Sequence, residues 1–417
     1  MKLSIFNSYL ELSAATGVIY NSLIDKSVFI PVAALNDISS GHCSDVSSDV
    51  EEVAFVNDGC DEFQIYHEQV LAAENQKYSY HLIINPTLDC IFNCWYCYEE
   101  HPKGRMPVEI LERIKLLISK IAETYESLTI SFFGGEPMMC YSSVIIPVLK
   151  YAHTLFKDKG KRFSCSMTTN GYLFTEDRIK ELKQYGFNSA QITLDGNAEL
   201  HNSVRCLKNN KPSYRRIVDN IRRLVESECY ITLRFNCTHA NVESFKNVAD
   251  DLVIKEEFKK YLAIDSHIVW QEKEKDRLQA SMHRLIAEFA SHDLNASKMD
   301  FRSFCYADKR SECVVNYNGD LYKCTAKDFH NTPRDGYLAS DGEIVWENDS
   351  HERRMNSKLK NQKCHSCRIL PLCHGGCTRH SLESQGEYCI YPTEDMKDQV
   401  VINRLEHIIT NHKSIKS

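Results

Sequence analysis

HLIINPTLDCIFNCWYC, residues 81–97, joins an apolar run to a loop with three cysteines at gaps of three and two residues. The run His81–Asn85 has the composition of a buried strand, and only Pro86–Asp89 separates it from Cys90. Cys90, Cys94 and Cys97 are therefore placed on the loop at that strand's C-terminal end. Zinc sites usually collect four ligands. Three thiolates can instead hold three irons of a [4Fe-4S] cube and leave the fourth without a protein ligand. An iron with an open position can bind a small molecule, as an open zinc site keeps a place for water or substrate. Three cysteines that only pack, or a zinc site completed by His101, remain open alternatives on the loop alone.

Outward from this loop, apolar β-prone runs recur at HLIIN (81), LTISFF (128), FSCSMTT (163), SAQITL (189), YITLRFNC (230) and YLAIDSHIV (261). Segments with helical period lie between most of them: residues 108–126, 142–156, 175–186, 214–227 and 242–254. Strands alternating with helices imply right-handed βα units on a parallel sheet. Six such strands predict an α/β fold, a partial (β/α)6 TIM-like barrel with its working loops at the strand C-terminal ends. A flat doubly wound sheet is the runner-up.

The flanks do not continue this alternation, so three domains are expected: 1–79, 80–295 and 296–417. In the first, GVIYNSLIDKSVFIPVAAL reads as two short strands around a polar turn followed by a helix, and VAFVNDGCDEF as another strand and turn, giving a small α+β domain. The third begins with short strands and turns, carries a dense cysteine array, and ends in an amphipathic helix, DMKDQVVINRLEHIIT.

Composition narrows the class. Residues 1–80 hold 12 Asp and Glu against 3 Lys, which argues against nucleic acid as a partner, since phosphate neutralisation needs clustered Lys and Arg. Asn7, Ser8 and Glu11 interrupt any signal-peptide core, and no stretch approaches about 18 apolar residues, so a cytoplasmic protein without a membrane span is expected. There the 18 cysteines should be reduced, and the grouping of eleven of them favours metal binding over a disulfide framework. The other seven, Cys43, Cys60, Cys140, Cys165, Cys206, Cys229 and Cys237, have no ligand-like spacing and read as small buried hydrophobes.

The C-x3-C-x2-C loop with an aromatic before its last cysteine, followed by FFGGEP (132–137), TTNG (168–171), ITLDG (192–196) and Arg205, resembles the radical S-adenosylmethionine enzymes. The resemblance spans residues 81 to roughly 270, and its force lies in the order of the motifs on successive strand ends. It implies a [4Fe-4S] cluster on Cys90, Cys94 and Cys97 whose open iron is chelated by S-adenosylmethionine, with reductive cleavage to a 5'-deoxyadenosyl radical. It further implies Tyr96 against the adenine, Gly134, Gly135 and Glu136 at the amino end of the methionine, and Thr193 and Arg205 on the ribose and carboxylate side. In the sequence itself the two glycines leave backbone open where a side chain would block a ligand, and Glu136 adds a carboxylate suited to an ammonium group. No catalytic residue is singled out.

Downstream, CHSCRILPLCHGGC supplies Cys364, Cys367, Cys373 and Cys377, with Cys389 beyond and Cys305, Cys313 and Cys324 before. Eight cysteines suffice for two fully ligated sites, and two zinc sites are also compatible with the C-x2-C pairs. The arrangement resembles the SPASM extension of radical S-adenosylmethionine enzymes. That resemblance implies two auxiliary [4Fe-4S] clusters, one on Cys305, Cys313, Cys324 and Cys377 and one on Cys364, Cys367, Cys373 and Cys389, for three clusters in all. Resemblance to the SPASM group implies a peptide or protein substrate.

Three functions compete. A maturase of ribosomally made peptides is favoured, because such enzymes often begin with a small winged-helix module that binds the precursor's leader, and residues 1–79 have a suitable size and start; a reductant such as flavodoxin or ferredoxin would feed it. An anaerobic sulfatase maturase making formylglycine is the second, weakened by Thr325 where those enzymes carry an Asp after the corresponding cysteine. A zinc-rich scaffold is the third. Iron and sulfide analysis of anaerobically purified protein separates the classes: about 12 irons per chain are expected for three cubes, whereas zinc in a colourless protein would indicate the scaffold.

Overall fold

The computed structural model describes residues 1–42, 46–291, 294–296, 304–357, 359–384 and 388–414 of the chain; Cys43 lies outside them. They form two compact units, one built from 1–76, 298–310 and 352–417 and the other from 77–297 and 311–351.

In the first unit, β1 (Asn7–Glu11), β2 (Thr16–Asn21) and β3 (Lys26–Pro31) make an antiparallel sheet in that order. Central β2 is buried along almost its whole length, whereas edge strand β3 leaves Phe29 51% exposed. Helices α1 (Val32–Ser39), α2 (Ser48–Ala54) and α3 (Glu62–Glu74) follow, the last capped by Asp61, whose carboxylate accepts from the Gln64 N–H at 3.0 Å. Strand β1 adds to the strands read from sequence, of which the one in VAFVNDGCDEF is the short Phe55–Val56, paired antiparallel with Lys2–Leu3. In β1 the inward Asn7 donates to Ala54 O at 2.8 Å and accepts from Asn21 at 3.1 Å, so a polar residue occupies a core position and hides the alternation. Leu10, Val18 and Tyr20 share one core with Ile369, Leu372, Val400, Val401 and Leu405, while Phe6, Tyr66 and Val70 share another with Leu359, Cys364 and Leu370. The N-terminal strands and the C-terminal cysteine segment thus stabilise each other.

The second unit carries the six strands foreseen from the alternation: β4 (Ser79–Ile84), β5 (Ser127–Phe132), β6 (Arg162–Thr169), β7 (Phe187–Leu194), β8 (Tyr230–Cys237) and β9 (Leu262–Ile268). They are parallel and lie in sequence order. A doubly wound sheet would reverse its order at a switch point; this one winds in a single direction, as an open barrel does. Period two sorts the side chains. Leu128, Ile130, Phe132, Cys165, Met167, Ile192, Leu233 and Phe235 belong to the buried core, and the alternate residues, Ser131, Ser166, Gln191 and Arg234 among them, stay partly accessible on the other face. That face is polar: His81 Nε2 lies 2.7 Å from Ser131 Oγ, itself 2.6 Å from Ser166 Oγ. The short strand β10 (Asn295–Ala296) extends the β9 side.

On the other side, β11 (Glu312–Val315) pairs parallel with β4, and β12 (Asp320–Tyr322), β13 (Gly336–Leu338) and β14 (Ile344–Trp346) continue antiparallel. Segment 296–417 is therefore divided, with 311–351 prolonging the barrel sheet. Among the described residues no helix is long and apolar enough to cross a membrane.

A buried ion pair fastens this extension: Lys323 Nζ stands 3.1 Å from a Glu312 carboxylate oxygen, with side-chain exposures of 2% and 0%. Removing one partner strands the other charge. Lys323→Met is expected to lower unfolding stability by about 3–5 kcal/mol, read from the denaturant midpoint, and Lys323→Met with Glu312→Leu to recover much of it; an unshifted midpoint in the single variant would contradict this.

Candidate functional site

The cysteine loop is seated on the rim by backbone contact. The Glu136 N–H donates to Asp89 O at 2.9 Å, and Gly135 (φ +39°) lies so close that a Cβ there would collide with the carbonyl oxygens of Leu88 and Asp89. The sequence reading gave these glycines the task of leaving room for a ligand. The structure assigns them a prior one, the close approach of two loops. Gly135 N–H donates to Glu99 Oε2 at 3.0 Å, and burial pushes the Glu99 carboxyl up to about 7.

Glu136 has a structural task of its own. Fully buried, it accepts from Thr169 Oγ1 at 2.8 and 3.0 Å, from the Asn170 N–H at 2.8 Å and from the Met138 N–H at 2.9 Å. A carboxylate so bonded ties the end of β5 to the end of β6. Asn170 also reaches toward Cys90, Nδ2 to Sγ 3.9 Å.

A second tie joins the far end of the loop to β7. Tyr96 OH donates to Asp195 Oδ2 at 2.6 Å, and the Arg205 guanidinium donates to the same oxygen at 2.6 Å and to Tyr96 OH at 2.9 and 3.0 Å. Burial and Asp195 keep Tyr96 a neutral phenol, while Tyr96, Cys94 and Asp195 outweigh burial and hold Arg205 protonated. Tyr96 and Arg205 are thus brought together, joined by Asp195, a residue the sequence placed only as the Asp of ITLDG. Among the described residues Asp195 Oδ1 has no hydrogen-bond partner.

Beside these ties opens a cavity of roughly 210 Å³, lined by Tyr96, Cys97, Thr193 and Arg205 together with residues the sequence reading did not single out, such as Glu99 and Arg234. At its edge Tyr98 and Trp270 stack with centroids 5.2 Å apart. Gly134, Gly135 and Glu136 are not among the described residues that line it. Arg234 could have been found by its alternation with Thr232 and Asn236 in YITLRFNC; Trp270 carried no such signal.

The donor chemistry fits iron–sulfur ligation. Burial pushes the Cys90 thiol up to about 12, and Cys94 and Cys97 upward as well, so a cationic centre is what would draw off their protons. Backbone N–H groups point at Cys90 Sγ (Phe92, 3.5 Å) and Cys324 Sγ (Ala326, 3.4 Å), as thiolate ligands require. Cys94 acts electrostatically on Cys90, and Cys97 on Cys94. In the first unit Cys367, Cys364 and Cys389 all raise the Cys373 thiol, which reaches about 12 mainly through burial; these four form one neighbourhood. Cys305 and Cys377 belong to that unit, and Cys313 and Cys324 to the barrel unit. Among the described residues no three His, Cys, Asp or Glu converge at the spacing of a single metal ion; a cube, with one thiolate per iron, spreads its donors farther.

Comparison with known proteins agrees with this chemistry. Residues 84–252 match the family model of the Radical SAM superfamily, so the chain carries that domain, a domain of enzymes that use a [4Fe-4S] cluster and S-adenosylmethionine. A cysteine-type anaerobic sulfatase-maturating enzyme of Clostridium novyi is 31% identical over 156 residues, 34% of this chain and 40% of that one. Most of the curated relatives are matched over 34–46% of their own length. Native anSMEcpe with bound AdoMet and the Cp18Cys peptide superposes with TM-score 0.58 at 17% identity, covering 81% of this chain and 98% of that one. Streptococcus suis SuiB bound to the precursor peptide SuiA gives 0.54 at 14%, covering 93% and 98%. At these identities the structural likeness concerns the fold.

The Tyr96–Asp195–Arg205 tie makes a prediction. Asp195→Ala leaves the Arg205 charge buried and uncompensated, so stability should fall by about 3–5 kcal/mol, and the freed loop should retain less iron on gel filtration. Iron retention equal to the parent would show that the tie does not hold the loop.

Proposed function

We propose that this protein is a radical S-adenosylmethionine enzyme of the SPASM type that modifies a ribosomally made precursor peptide. The observation that carries the reading is the three-cysteine loop, seated on the barrel rim and opening beside a cavity at the strand C-terminal ends. Cys90, Cys94 and Cys97 would hold one [4Fe-4S] cluster with S-adenosylmethionine on its open iron, Cys305, Cys313, Cys324 and Cys377 a second, and Cys364, Cys367, Cys373 and Cys389 a third. When bound, this set supplies a reductively generated carbon radical able to take hydrogen from an unactivated C–H bond, and a path for electrons.

The chain's own residues bind, orient and shield. Tyr96 presents a ring held in place by Asp195, Thr193 offers a hydroxyl to the cofactor's ribose side, and the Gly134–Gly135 turn keeps the cysteine loop fixed. Phe133, Ile268, Val269 and Trp270 give the cavity apolar walls that exclude water. A one-electron reductant such as flavodoxin or ferredoxin would complete the system.

The peptide arm of the proposal rests on the first unit. Three antiparallel strands followed by three helices suit a winged-helix module, and β3 is an outer strand on which a leader would add as a further strand. The formylglycine reading is weaker. Thr325 stands where a base is expected, and the nearby Asp328 accepts from the Glu100 and His330 N–H groups at 3.2 Å and from Asn331 at 2.7 Å, as a turn residue does.

Two variants test this. Cys94→Ala should abolish cleavage of S-adenosylmethionine to 5'-deoxyadenosine by dithionite-reduced enzyme while the circular dichroism is retained; unchanged cleavage refutes the site. Deleting residues 1–79 would strip the core they share with Ile369 and Val401, so the leader is better tested with Phe29→Asp on the exposed edge. Cofactor cleavage should persist and affinity for the precursor, found by co-expression with short neighbouring reading frames, should drop at least about tenfold; equal affinity rules out this surface.

A further inference from the structure

The cavity is lined by two guanidinium groups, and only one of them is committed. Arg205, the residue the family resemblance puts on the carboxylate side of the cofactor, is 9% exposed, ion-paired with Asp195, and donates from Nε and Nη2 to Asp195 and Tyr96. Arg234 is different. Alternation along β8 turns Thr232, Arg234 and Asn236 to the lumen, and the parallel register sets Arg234 between Thr193 on β7 and Asp265 on β9. Its Nε donates to Asn236 Oδ1 at 3.1 Å. Among the described residues Arg234 makes no ion pair: Asp265 takes His267 Nε2 at 2.8 Å, Asp195 takes Arg205, and Glu99 takes the Gly135 N–H.

An unpaired guanidinium on a cavity wall that also contains Phe133, Ile268, Val269 and Trp270 is costly to desolvate unless an anion arrives with the ligand. Thr168, Gln191, Thr193 and Asn236 add neutral polar groups to the same lining. The fork of an arginine matches a carboxylate with two parallel N–H···O bonds.

We propose that Arg234 is the carboxylate-binding residue of this cavity. The carboxylate has two sources, the amino-acid end of S-adenosylmethionine or an acidic side chain of the substrate peptide. The first source rests on the radical S-adenosylmethionine reading above; the second needs only the cavity.

The test is equilibrium dialysis with the cluster-loaded parent protein, Arg234→Met and Arg234→Lys. Three probes are used: S-adenosylmethionine; 5'-methylthioadenosine, which lacks the amino-acid end; and N-acetylglutamate α-methylamide added to protein saturated with the nucleoside. In Arg234→Met one carboxylate probe should bind at least about tenfold more weakly while 5'-methylthioadenosine binds as before, and Arg234→Lys should recover part of the loss. A fall for S-adenosylmethionine assigns the cofactor as source; a fall confined to the acetylglutamate derivative assigns the substrate. The proposal is overturned if neither carboxylate probe depends on Arg234, or if all three weaken together, which is the pattern of a structural role. A parent protein that binds acetylglutamate through Arg234 but neither nucleoside would keep the proposal and sink the cofactor reading instead.

Discussion

The seating of residues 86–97 on the barrel rim is the contact on which the rest of the site depends. At one end Gly135 approaches the carbonyls of Leu88 and Asp89 more closely than any residue with a Cβ would permit. At the other, Tyr96, Asp195 and Arg205 form a buried charged knot. A loop held at only one end would leave three thiols free to turn, and a cluster needs its donors set before iron arrives. Both fastenings use residues at the ends of strands, so the sheet's order of assembly becomes the geometry of the site.

This dependence explains why the barrel was legible in the sequence. Each of its six strands buries one face against helices, so the outward positions must be apolar, as in LTISFF and YITLRFNC. The inward positions are polar because the lumen is a binding space rather than a packed core, which sharpens the alternation. Less legible was β11, only four residues long and buried at every one, Glu312 included, because Lys323 neutralises it; no period-two signal survives such a pattern. Strand β1 was hidden for a related reason, its Asn7 being matched to Asn21. Pairings that link residue 10 to residue 401 in one core leave no local mark at all, and the three-segment reading of the chain could not contain them.

For the site, the cysteines and the glycine turn were readable because their spacing is local. What Glu136 and Arg205 do was not. Their residue types suited a ligand's ammonium and carboxylate, and each also bonds protein groups brought from another strand end, Thr169 and Asn170 in one case and Asp195 with Tyr96 in the other. Charge chemistry in a sequence identifies a group's capacity, and only the fold decides who occupies it. The resulting division of labour is a rim of structural charges that hold the loop and a lumen lined by Arg234, which makes no ion pair among the described residues.

The proposed radical chemistry requires an iron, on a cube held by Cys90, Cys94 and Cys97, that lacks a fourth protein ligand and takes S-adenosylmethionine. Its most direct test is electron–nuclear double resonance on the anaerobically reduced protein with S-adenosylmethionine labelled with nitrogen-15 at its amino group. A hyperfine coupling from that nitrogen to a [4Fe-4S] cluster is expected, and it should be lost in Cys94→Ala. A cluster at this loop that shows no such coupling because the chain itself fills all four positions, or the absence of any cluster there, would contradict it.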